Sequence, residues 1–213
     1  RFTYEEVQEV IENGKGNFAD EIHTLNKLAT SLRKKKFEQG AISFESEEVK
    51  FRLDENGKPV EVIRKHRKEA HMLIEDFMLL ANRTVAAYGY GLAKNYDDKP
   101  FVYRVHDLPP QDKIESFAQV AARFGHKINT RNTQQLSFAL NNLLGHIEGR
   151  PEQHLLESLA IRSMAKAKYT TDNSSHYGLA FEHYTHFTSP IRRYPDLMVH
   201  RLLTMYLNNK KVK

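Results

Sequence analysis

The chain has no cysteine among its 213 residues. That excludes disulfides, thiolate metal sites and cysteine nucleophiles together. It fits a reducing compartment, so a cytoplasmic location is the expectation. No run of about 18 apolar residues occurs, so no helix is expected to span a bilayer and no membrane partner is expected. No charged stretch followed by an apolar block marks a secretory signal at the N-terminus. No Gly-x-Ser-x-Gly elbow points to a serine hydrolase. The first residue is Arg1 rather than Met, which predicts a piece of a longer protein.

What is present is a soluble, globular balance: 40% hydrophobic and 28% charged residues, with a net charge of +5 and a pI near 9.2. Such a chain can bury a core, and wholesale disorder is not expected. The basic bias is too mild to identify nucleic acid by itself.

Local patterns predict an α+β unit, mostly helical, with a small number of strands. Thr3 and Glu6 form a Thr-x-x-Glu capping box for a first helix that Gly14 and Gly16 end. A second helix starts near Asn17 and closes on Arg33–Lys36, which reads as a solvated, basic C-terminal end. Residues 48–63 read as a β-hairpin turning at Asn56-Gly57. A long helix is predicted over 65–88, with Ala70, Ile74, Phe77, Ala81 and Val85 on one face and Gly89 as its stop. A strand is predicted over 101–107, helices over 112–124, 132–144 and 151–168, and strand or loop over 176–187. The last helix is predicted to start near Pro195.

Chemistry concentrates in 183-HYTHFTSPIRRYPDLMVHR-201, with three arginines, three histidines and two prolines. Pro190 and Pro195 restrict the backbone around Arg192 and Arg193. A guanidinium pairs with phosphate through two parallel hydrogen bonds, and Thr188 and Ser189 add hydroxyls. Phe187 and Tyr184 could stack or pack. Composition leaves two readings open: a phosphate clamp, or an arginine-rich turn capping the final helix with Asp196 as an internal partner.

Word for word, residues 186–203 resemble the signature of the ribonuclease II family, the processive 3′-to-5′ exoribonucleases. The Pro-Asp-Leu variant is most similar to its bacterial ribonuclease R branch. Residues 41–63, 70–86, 102–110 and 176–180 resemble further segments of that family in the same order. The resemblance implies the C-terminal part of an RNB-type catalytic domain, without its upstream aspartate-rich half or the flanking oligonucleotide-binding barrels. It implies a channel for single-stranded RNA, and for structured RNA with a 3′ overhang, with no DNA substrate. It implies magnesium in the parent enzyme, Arg192 as the catalytic arginine at the scissile phosphate, and Arg193 and Ser189 beside it. It also implies Phe44 as an aromatic stacked on a base, Glu75 at the ribose and His186 in the channel structure. Glu75 falls on a polar stripe with Lys68, His71 and Asn82.

The family's aspartate cluster is not found. Asp97-Asp98, Glu5-Glu6, Glu47-Glu48 and Glu75-Asp76 are single pairs, and none supplies the converging oxygens magnesium needs. No metal ligand is therefore assigned. His66 and His71 are five apart and His183 and His186 three, neither matching the four-residue spacing of a helical zinc pair. The expectation is an exoribonuclease fragment that is inactive alone. A non-catalytic RNA-binding module and a helical protein-interaction scaffold are the alternatives.

Overall fold

The computed structural model describes residues 1–44, 48–65, 67–95, 99–130 and 132–208. They form seven helices, two small antiparallel sheets and one 3-10 turn. The chain divides into two compact units, Arg1–Arg33 with Phe44–Phe77, and Lys34–Ser43 with Met78–Lys213.

In the first unit, α1 (Tyr4–Asn13) starts at the predicted capping box. Thr3 Oγ1 accepts the Glu6 N–H at 3.2 Å, and Glu6 accepts the Thr3 N–H at 2.6 Å. Gly14 closes the helix in the left-handed region, with φ +70°, where a side chain would be strained. Helix α2 (Ala19–Glu38) follows. Strands β1 (Glu48–Leu53) and β2 (Pro59–Lys65) make the predicted hairpin, with Phe51 opposite Val62. Its apolar side chains Phe51, Leu53, Val60 and Val62 are all exposed.

Helix α3 (Glu69–Asn95) departs from the predicted pattern. In its first turns the buried residues are Ala70, Leu73 and Asp76, whereas Ile74 is 44% exposed. Burying Asp76 requires a partner. Arg33 supplies it, with Nε 2.9 Å from Asp76 Oδ2 and a second pairing to Glu69 at 3.0 Å. Ala70 donates its N–H to the buried Gln8 side chain at 3.0 Å.

The helix also runs past Gly89, which is not a stop. A Cβ there would lie 2.7 Å from the Phe101 ring. Gly89 is where the helix backbone lets that ring approach.

In the second unit, Phe101, Tyr103 and Val105, each 1% exposed, pack with Ala86, Val199 and Tyr206 into a core. Each large side chain so buried contributes about 1.5–3 kcal/mol. Strand β3 (Tyr103–Val105) is shorter than predicted, and it pairs with β4 (Lys168–Thr170). The helix predicted over 151–168 ends at Lys168, which opens β4. Instead α6 (Gln153–Ser163) stops early and packs on α4 (Gln111–Arg123) and α5 (Thr133–Ile147). Residues 176–187 form a 3-10 turn at Tyr177–Leu179 and then extended loop. Helix α7 (Tyr194–Leu207) has proline in its first turn, as predicted. No helix among the described residues is long and apolar enough to cross a membrane.

Candidate nucleic-acid interface

The loop ahead of α7 is held by its backbone. Tyr184 accepts the Arg104 N–H of β3 at 2.9 Å. Thr185, fully buried, donates its hydroxyl to the Val102 carbonyl at 2.6 Å. Asn82 of α3 accepts the N–H groups of Phe187 and Thr188 at 3.0 and 3.2 Å, and donates to the Tyr184 hydroxyl at 3.2 Å. Asn82 is 3% exposed, so it is not part of a solvent-facing stripe with Lys68 and His71. Phe187 stacks on His200 at 4.0 Å and 14°, and Tyr184 is buried. Both aromatics therefore pack. The Thr188 hydroxyl is buried too.

The turn itself is closed by Ser189, whose carbonyl accepts the N–H of Arg192 at 3.3 Å and of Arg193 at 3.1 Å. The Ser189 N–H donates to Asp196 Oδ1 at 2.8 Å, and Arg193 Nη2 donates to the same oxygen at 2.8 Å. Asp196 is fully buried in the first turn of α7. Arg193 is thus committed to an internal ion pair, and its positive charge stays inside the turn. Arg192 has no such tie. It is exposed, and among the described residues no carboxylate pairs with it. The two adjacent arginines are separated by function: one fixes the turn, the other points a guanidinium outward from it.

His186 sits beside this turn. Its Nδ1 is 2.6 Å from the Tyr169 hydroxyl, and its ring meets Tyr169 and Tyr184 edge-on. Burial, then the Arg193, Arg104 and Arg192 charges, push its pKa down to about 4 against the opposing pull of Asp196. It is neutral at pH 7, so it shapes the surface and adds no cation to it. His176 is pushed further, to about 3, by burial and then by neighbouring His106.

The structure brings Arg192, Arg193, Ser189 and His186 together in the second unit. Phe44 and Glu75 belong to the first unit. Phe44 is half-buried, and Glu75 is half-exposed and paired with Arg67. Asp97-Asp98, His66 and Glu47 lie outside the described residues, as does the side chain of Glu48. The remaining carboxylate pairs diverge: Glu75 goes to Arg67, Asp76 to Arg33, and Glu6 to its helix cap. Among the described residues no three His, Asp or Glu side chains converge as a cation site.

Sequence reasoning set Asn82 on a polar stripe instead of this buried grip, and named Asp196 without showing its full use. Both are polar residues at buried positions, and both grip main-chain N–H groups. A period-based reading assigns such residues to a surface. Arg104, which stacks on Tyr169, was also missed, since an alternating strand arginine carries no motif.

Residues 1–209 match the RNB domain family. The chain is 38% identical over 196 residues to ribonuclease R of Aquifex aeolicus, covering 92% of this chain and 27% of the relative. It is 41% identical over 219 residues to ribonuclease R of Thermotoga maritima, covering 97% and 29%. Among solved structures it resembles Mycoplasma genitalium RNase R in complex with ribose methylated single-stranded RNA. The TM-score is 0.84 at 29% identity, over 97% of this chain and 32% of that one. The same protein in complex with double-stranded RNA matches with the same score, over 37% of its chain. The chain thus spans under a third of the length of these curated relatives.

Proposed function

The chain belongs to the RNB domain family, and from that premise we propose that it supplies the arginine side of a 3′-to-5′ exoribonuclease site. The whole protein hydrolyses single-stranded RNA processively to nucleoside 5′-monophosphates. It acts in the cytoplasm, and structured RNA with a 3′ overhang is also a substrate.

The observation that carries this reading is the contrast between Arg192 and Arg193. A turn anchored by Asp196 leaves Arg192 exposed, and among the described residues no carboxylate competes for it. When water attacks the 3′-terminal phosphodiester, negative charge builds on the non-bridging oxygens as the 3′-oxygen leaves. A guanidinium presented at that point stabilises the charge by donating paired hydrogen bonds to those oxygens. Arg193 and Ser189 position it, and neutral His186 fills the adjacent wall. Phe44 would stack on a base and Glu75 would meet a ribose.

Magnesium is the family's metal. Among the described residues the donor set does not fit it, because the acidic pairs diverge and most are tied to arginines or caps. Its ligands would come from elsewhere in the whole protein. The chain by itself is therefore inactive in this proposal.

The test uses 5′-labelled single-stranded RNA, this chain, and the full-length protein, each with magnesium and with chelator. Stepwise shortening by the full-length protein, abolished by Arg192→Ala and absent for the chain alone, is the expected result. Magnesium-dependent shortening by the chain alone would overturn the placement of the metal ligands. An Arg192→Ala protein that degrades RNA at the normal rate would overturn the role of Arg192.

A further inference from the structure

Strand β3 alternates: Tyr103 and Val105 are buried at 1% each, and Arg104 points to the other side. Across the sheet its partner is Tyr169 of β4. The Arg104 guanidinium lies over the Tyr169 ring, 4.6 Å from its centre. The far end of that ring is fixed as well, by the 2.6 Å contact of the Tyr169 hydroxyl with His186. His186 is three residues ahead of the turn that presents Arg192. Lys168, next to Tyr169 on β4, pairs with Asp107 at 2.9 Å. Arg104 has no carboxylate partner among the described residues.

We propose that Arg104, laid on the Tyr169 ring, is a second phosphate-binding guanidinium of this surface and holds an RNA phosphodiester other than the one at Arg192. This rests on the reading of the signature turn as an RNA site. A guanidinium held over an aromatic ring by cation–π attraction still has N–H donors to offer, and a phosphate can accept two of them. The Tyr169 ring already fixes where the guanidinium sits, so gripping a phosphate immobilises less of the side chain. The local charge balance agrees. Of the arginines around His186, Arg193 is answered by Asp196, while Arg104 and Arg192 leave two positive charges for an anion. The competing role for Arg104 is packing on Tyr169 alone.

The experiment measures the affinity of the full-length protein for single-stranded oligo(A) and oligo(U), with chelator present, across a salt series. Arg104→Ala is expected to weaken binding about tenfold on both sequences and to lower the slope of log Kd against log salt by about 0.7. Unchanged affinity overturns the proposal. So does a loss of equal size at every salt concentration, which is what lost packing would give. Should Arg104→Ala lower the melting temperature, Arg104→Gln decides, because its planar amide covers the ring without the charge. An unchanged salt slope in Arg104→Gln overturns the proposal. If Arg192→Ala weakens binding and the Arg104 variants do not, this inference alone falls. If the unmodified protein shows no salt-dependent RNA affinity, the functional reading falls with it.

Discussion

Asp196, fully buried at the start of α7, accepts the main-chain N–H of Ser189 at 2.8 Å. One carboxylate thereby joins the helix to the turn that carries Arg192. Asp196→Ala should cost about 3–5 kcal/mol, because it strands both the Ser189 amide and the Arg193 charge. Asp196→Asn should cost less, since an amide oxygen still accepts from Ser189. Urea denaturation of the two variants measures the difference. RNA affinity should fall with Asp196→Ala although Asp196 itself, being buried, touches no RNA.

Asn82 holds the same loop from the opposite end. Asn82→Leu keeps the volume and removes every hydrogen bond. It leaves two N–H groups and the Tyr184 hydroxyl without this partner. A loss of about 2–4 kcal/mol is expected, with faster amide hydrogen exchange at Phe187 and Thr188 as the local readout.

Gly89→Ala separates two expectations. In an open helix the change stabilises by about 1 kcal/mol. Here the new methyl would come 2.7 Å from the Phe101 ring, which is 1% exposed and cannot swing away. A net loss of about 1–3 kcal/mol is expected from overpacking. The double variant with Phe101→Leu should recover part of it, and a thermal melt of both proteins decides.

Stability should fall with acid before most carboxylates titrate. His176 and His186 have folded pKa values of about 3 and about 4, against about 6.5 in an unfolded chain. As pH drops below about 6.5 the unfolded chain binds protons that the folded one refuses. The contribution is complete above that pH and is lost as pH falls through the folded values. Going from pH 7.5 to pH 5, the parent protein should therefore lose more stability than His176→Asn, and the gap between them should narrow.

Residues 1–16 were legible because a capping box and two glycines act locally. The hairpin was legible for the same reason, with Asp54 and Gly57 closing its loop. Gly89 was misread because its smallness serves Phe101, twelve residues on, and no local rule reports that. The long helix was rotated in the reading because Asp76 and Asn82, both polar, occupy buried positions that Ile74 was expected to share. β4 was missed because three residues, Lys168–Thr170, gain their strand character from pairing with β3 and not from their own pattern. The signature turn was legible as words, and its geometry came from those same buried polar groups.

The grips on this loop share one property. Asn82 and Asp196 take hold of main-chain N–H groups at Phe187, Thr188 and Ser189, which any residue but proline supplies. Those grips are blind to which side chains stand there. A drift in those side chains would not need a matching change at position 82 or 196. Paired substitutions across homologous chains would carry no record of these contacts, although they hold the whole turn. A side-chain change at these positions, proline aside, would meet the packing of Phe187 on His200 but leave the Asn82 and Asp196 holds intact.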